Sequence, residues 1–149
     1  MAGASRRRGL RFVRDRTGAS RSPGRTRRFE LRGGENAPWT ARRIVDRLDG
    51  EIPAAIREDA RLLVSELVAN SVLHARVGPD DSLTLVLSVS QTRLRVELHE
   101  PDHGFEPSFP APRGASGSAS GLLIVERVAD RWGVTRDART CVWFEIDRR

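Results

Sequence analysis

Glu66 and Asn70 stand four residues apart in the run Leu62-Leu63-Val64-Ser65-Glu66-Leu67-Val68-Ala69-Asn70-Ser71-Val72-Leu73-His74, so on a helix they share a face. The run is apolar almost all round, which predicts a substantially buried helix. A carboxylate and a carboxamide held there need partners, because leaving either unpaired costs on the order of 1–3 kcal/mol. A bound cation with its waters would satisfy both. Asn70 would give an oxygen to Mg2+, and Glu66 would orient a water or hydroxyl. Two polar residues on a solvated helix edge, or capping a neighbour, have the same spacing, and spacing alone leaves both readings open.

Two further segments carry chemistry in a compatible order. Val96-Glu97-Leu98-His99-Glu100-Pro101-Asp102-His103-Gly104-Phe105 ends a strand with acids that could accept a hydrogen bond from a ligand amine, although Asp and Gly are also ordinary turn residues. Gly114-Ala115-Ser116-Gly117-Ser118-Ala119-Ser120-Gly121-Leu122-Leu123 leads small residues into an apolar helix. There, backbone N–H groups and the helix dipole can hold an anion such as phosphate. The plain alternative for this segment is a flexible linker.

The elements that must position these groups follow from periodicity. Arg28-Phe29-Glu30-Leu31 alternates as a short strand closed by Gly33-Gly34. Asn36 is placed to cap a helix with Pro38 in its first turn. Ala41, Ile44, Val45 and Leu48 form its stripe, and Gly50 ends it. A second helix starts near Pro53, with Ile56, Ala60, Leu63, Leu67, Asn70 and His74 on one stripe. Leu83, Leu85, Leu87 and Val89, then Leu94, Val96 and Leu98, alternate on either side of Gln91-Thr92 and predict an antiparallel hairpin. Residues 101–120 form a long break of the kind that serves as a lid or binding loop. Gly121 opens a third helix through Asp130, and Trp132–Val134 and Cys141–Ile146 close the chain as two strands. This order predicts an α+β fold, a two-layer sandwich with a mostly antiparallel sheet and helices on one face.

The 149 residues suit one domain. All 26 basic residues are Arg, and they are unevenly spread. Residues 1–32 hold 11 Arg against Asp15 and Glu30, while residues 33–149 hold 15 Arg against 18 acids. The mildly acidic body points away from nucleic acid as its partner. Residues 1–27, rich in Arg, Gly and Ser, are expected to be a disordered tail ahead of a domain at 28–149. The tail could contact nucleic acid or another anionic surface, act as a transit peptide, come from a start codon placed too far upstream, or be a solvated extension. One cysteine, Cys141, excludes an internal disulfide and a multi-thiolate zinc site. His74, His99 and His103 show no metal-ligand spacing of the HExxH kind. There is no apolar stretch of about 18 residues to span a membrane, and a cytoplasmic location is expected.

Together the chemical segments resemble the Bergerat-type (GHKL) ATP-binding fold of gyrase, heat-shock chaperones, histidine kinases and mismatch-repair ATPases. Within it they are most similar to the anti-sigma factor serine/threonine kinases. Glu66–Ala75 resembles that branch's N box, Gly121–Val134 its second glycine box and following helix, and Thr140–Glu145 its last strand. The resemblance, over roughly residues 28–147, implies ATP bound with Mg2+ between the helices under a lid near residues 105–120. It implies that Asn70 coordinates the Mg2+ and that Glu66 is the base toward a water or serine hydroxyl. Gly117, Ser118, Ala119 and Gly121 would line the phosphates, with Leu122 beside them. The first glycine box, Asp-x-Gly-x-Gly in the family, reads Glu100-Pro101-Asp102-His103-Gly104 here. Glu100 is one methylene longer than the adenine-reading Asp, Asp102 adds a charged side chain where the family has glycine, and Gly104 is kept. The resemblance also implies a sigma factor and an anti-anti-sigma (antagonist) protein as partners, and a homodimer. The alternative is an interaction module of the same fold with impaired nucleotide binding, regulating transcription by protein–protein contact.

Overall fold

A computed structural model describes residues 24–74, 77–101, 119–136 and 139–149. Its elements are β1 (Arg25–Arg32), α1 (Ala37–Asp46), α2 (Ala54–His74), β2 (Ser82–Val89), β3 (Arg93–His99), α3 (Ala119–Val128), β4 (Arg131–Arg136) and β5 (Thr140–Asp147). The strands form one sheet in the order β1-β2-β3-β5-β4, every neighbouring pair antiparallel. Strand alternation builds the core. Leu31, then Leu83, Leu85 and Leu87, then Leu94, Val96 and Leu98, then Val142, Phe144 and Ile146 are all buried. Register sets them opposite one another, Leu85 facing Leu98 and Val96 facing Phe144. Ala41, Ile44 and Val45 of α1, Leu63, Val64, Leu67 and Val68 of α2, and Val125 of α3 close the same cluster from the helical layer. This is the α+β sandwich the periodicity predicts.

Boundaries differ where tertiary contacts outweigh local signals. β1 begins at Arg25, ahead of the expected Arg28, because Arg25 and Thr26 pair with Val89 and Ser88, and the hydroxyls of Thr26 and Ser88 lie 3.1 Å apart. Asn36 precedes α1, but its backbone is already helical (φ −85°, ψ −6°) and its side chain makes no capping bond. Its carbonyl instead accepts from the Thr40 N–H at 3.0 Å. α1 stops at Asp46 and tightens into i→i−3 turns through Asp49. Gly50, at φ +78°, then reverses the chain. α3 starts at Ala119, so the end of the expected 101–120 break is helical. The Arg-rich tail to residue 23 and the 102–118 segment expected as a lid lie outside the described residues.

The sheet face away from the helices carries a continuous polar network. Glu145, buried, accepts from Arg131 Nε at 2.6 Å, Arg95 Nη1 at 2.9 Å and Arg93 Nη1 at 3.2 Å. Burial alone would raise the Glu145 pKa, but the hydrogen bonds from Arg131 and Arg95 hold it below the usual carboxylate value. Arg131 also pairs with Asp147, while Arg95 donates from Nε to Glu97 at 2.7 Å. Glu97 in turn meets His99 Nε2 at 3.2 Å, and His99 Nε2 lies 3.7 Å from Cys141 Sγ. The contact with His99, with Arg95 adding to it, pulls Glu97 down to about 2. Contacts with Cys141 and then Glu97 push His99 up to about 9.

The raised His99 value makes a stability prediction. The folded state holds this proton more tightly than the unfolded chain, whose reference is 6.5, so the contribution is fully present below that value. It is lost as pH rises through about 9. Melting curves with EDTA present should therefore show wild type losing its advantage over His99→Gln across that window. A constant difference would contradict the assignment.

Trp143 is buried on this face, with the Arg95 guanidinium 4.2 Å above its ring. Gly133, its register partner on β4, makes room below. A Cβ at Gly133 would meet Trp143 Cζ2 at 2.9 Å and Cε2 at 3.0 Å. Gly133→Ala should therefore displace the indole and destabilise the domain by about 1–3 kcal/mol, the usual cost of overpacking. Chemical denaturation would check this, and an unchanged midpoint would refute it.

Candidate functional site

The candidate site is built on the C-terminal half of α2. Leu63, Val64, Leu67 and Val68 anchor this helix in the core, and Ser71 is also buried. The helix is not buried all round, as its composition suggests. Leu62 is 43% and Leu73 72% exposed, because α1, α3 and the sheet leave one face open. Asn70 falls on the covered side at 7% exposure. Its Nδ2 is buried and has no hydrogen-bond partner among the described residues. Such an orphan costs on the order of 1–3 kcal/mol, and it suits an amide whose acceptor or metal comes with a ligand. Turning the amide about its last torsion would present Oδ1 at the same place, since the two ends are interchangeable in shape. Glu66, one turn earlier, is half-buried.

The strand end meets this helix directly. The Ser71 hydroxyl donates to Glu100 Oε1 at 2.8 Å, with both residues buried. The Glu100 N–H donates to the Thr140 carbonyl at 2.9 Å, carrying the β3–β5 ladder one residue beyond His99. Glu100, just beyond the end of β3, thus lies against the residue next to Asn70. Asp102 and Gly104, from the same segment, lie outside the described residues.

α3 supplies the third part. Ala119, Gly121 and Leu122 form its first turn, so their N–H groups include the orphan donors of a helix start. Gly117 and Ser118 precede the described residues of α3. α3 packs against α2. The C-terminal end of α3 and the two residues after it, Glu126 to Asp130, border a cleft of about 650 Å³ together with Pro53, just before α2, and Ile56 and Asp59 from its first turns. No predicted site residue lines that cleft.

The candidate groups are a buried carboxamide, a half-buried carboxylate one turn before it, a buried acid at a strand end and the first turn of a helix that packs against α2. These are groups that can hold a metal-bound phosphate chain and an amine-bearing base. Asn70, with its orphaned amide, fits a Mg2+–nucleotide ligand. Glu100 fits the adenine-reading position less directly, since its carboxylate already takes the Ser71 hydroxyl. Ser71 is the functional candidate that spacing misses. Its one signal is a hydroxyl beside Asn70 on an otherwise apolar face.

The fold and these elements define a two-layer ATPase-type sandwich. A family model for the histidine kinase-like ATPase domain matches residues 37–146, from the start of α1 into β5. The chain belongs to the histidine kinase-like ATPase domain family. Among curated proteins, none matches it significantly. No described helix is long and apolar enough to cross a membrane.

Proposed function

We propose that this protein binds ATP with Mg2+ and acts as a regulatory kinase of the anti-sigma factor type, transferring the γ-phosphoryl group to a serine of a small antagonist protein. The observation that carries the reading is the buried Asn70 amide with its orphaned Nδ2, one turn beyond Glu66 on α2. Asn70 would hold the metal, and the first turn of α3 would receive the phosphates on Ala119, Gly121 and Leu122. Mg2+, when bound, neutralises charge on the triphosphate. Glu66 takes the proton of the attacking serine hydroxyl while its oxygen bonds to phosphorus and the bond to ADP breaks. Gly117, Ser118, Asp102 and Gly104 complete the nucleotide contacts in this reading, with a sigma factor as second partner and a homodimer as the working form.

The Ser71–Glu100 bond favours a second reading, an interaction module of the same fold whose nucleotide site is impaired. Calorimetric titration of the full chain with ATP, with and without Mg2+, separates the two. The kinase reading expects saturable, Mg2+-dependent binding at one site. Absence of heat from wild type, with binding restored by Glu100→Asp combined with Asp102→Gly, would establish the module instead.

A further inference from the structure

The far face of the sheet holds a second cluster that the nucleotide site does not use. Glu97 and His99 are two apart on β3 and therefore share a face. His99 is paired across the register with Cys141 of β5. The candidate ligand atoms of these three residues all lie within 4.8 Å of one another. We propose that Glu97, His99 and Cys141 form a transition-metal site suited to Zn2+, with a fourth position open to water.

The spacing fits that ion. A tetrahedral zinc centre with ordinary bond lengths has a nitrogen–oxygen edge of about 3.4 Å and edges to sulfur of about 3.6 Å. Here His99 Nε2 is 3.2 Å from Glu97 Oε2 and 3.7 Å from Cys141 Sγ. Only the oxygen–sulfur edge, within 4.8 Å, has to shorten when an ion binds. The partners around the ligands support the same role. Arg95 Nε donates to Glu97 Oε1 at 2.7 Å, which orients the carboxylate and leaves Oε2 toward the other two donors. Cys141 is buried, whereas the side chains of His99 and Glu97 are 29% and 25% exposed, so the cluster has a closed floor and an open side. A thiol, an imidazole and one carboxylate select zinc-like ions over Mg2+, which prefers oxygen alone. The site would clamp β3 to β5 one residue before Glu100, on the sheet face opposite the helices.

Cobalt is the probe, because the chain has a single cysteine and a thiolate-to-cobalt charge-transfer band can therefore come only from Cys141. Titrating the reduced full chain with Co2+ should produce that band at one equivalent. Zn2+ should displace it, and excess Mg2+ should not. Cys141→Ala should lose it. His99→Gln and Glu97→Gln should each weaken the apparent affinity by at least the roughly 10–100-fold that even outer-sphere partners command. If Cys141→Ala does not fold by circular dichroism, these two half-exposed positions decide the matter. A wild-type chain without the band, or a band of unchanged affinity in both variants, overturns the site.

Discussion

Replacing Asn70 with Ala should weaken Mg2+-dependent ATP binding by about 100-fold or more, equivalent to roughly 3 kcal/mol, while leaving the free domain's stability within about 1 kcal/mol of wild type. The two effects part because they arise in different states. In the free protein, the Asn70 amide is buried at 7% exposure with its Nδ2 unpartnered, so truncation removes a polar group that is already unsatisfied. That relief offsets the lost packing of a small side chain. In the complex the same amide would be a metal ligand, and alanine has nothing to replace it. A merely structural asparagine would show the reverse pattern, lost stability with binding unchanged. Paired melting curves and calorimetry on the two proteins distinguish the cases, with Asn70→Asp, which keeps an oxygen donor, expected between them.

Glu66→Gln should lower phosphoryl transfer by about 10²–10⁴-fold, the range typical of a positioned general base, with ATP affinity changed by less than about tenfold (1.4 kcal/mol). Glutamine keeps the shape and the half-burial of Glu66 but cannot take a proton from a serine hydroxyl. Measured as turnover against nucleotide affinity, the split assigns Glu66 to the chemical step. Equal losses in both would instead make it a binding residue, and an unchanged rate would remove it from the mechanism.

Much of this was legible in the sequence wherever one periodicity acted alone. Alternation marked Leu83 to Leu87 and Leu94 to Leu98, and each of these inward positions is buried. The four-residue step likewise put Glu66 and Asn70 on one side of α2. Legibility ended where two distant segments meet. Arg25 and Thr26 look like tail, yet they extend β1 because Val89 and Ser88 lie opposite. The apolar run of α2 overstates its burial, since hydrophobicity alone does not reveal that the neighbouring layers stop short of Leu62 and Leu73. Ser71 and Glu100 are 29 residues apart, and only the docking of a strand end on a helix joins them. Glu97, His99 and Cys141 have no metal spacing along the chain, because the β3–β5 register assembles them.

The most direct test is a crystal structure of the full chain with Mg2+ and a non-hydrolysable ATP analogue. The account predicts a metal about 2.0–2.1 Å from Asn70 Oδ1, the bond length Mg2+ requires, with phosphates against the first turn of α3 and Glu66 facing the terminal one. A nucleotide seated elsewhere, with the Asn70 amide bonded only to protein, would contradict it.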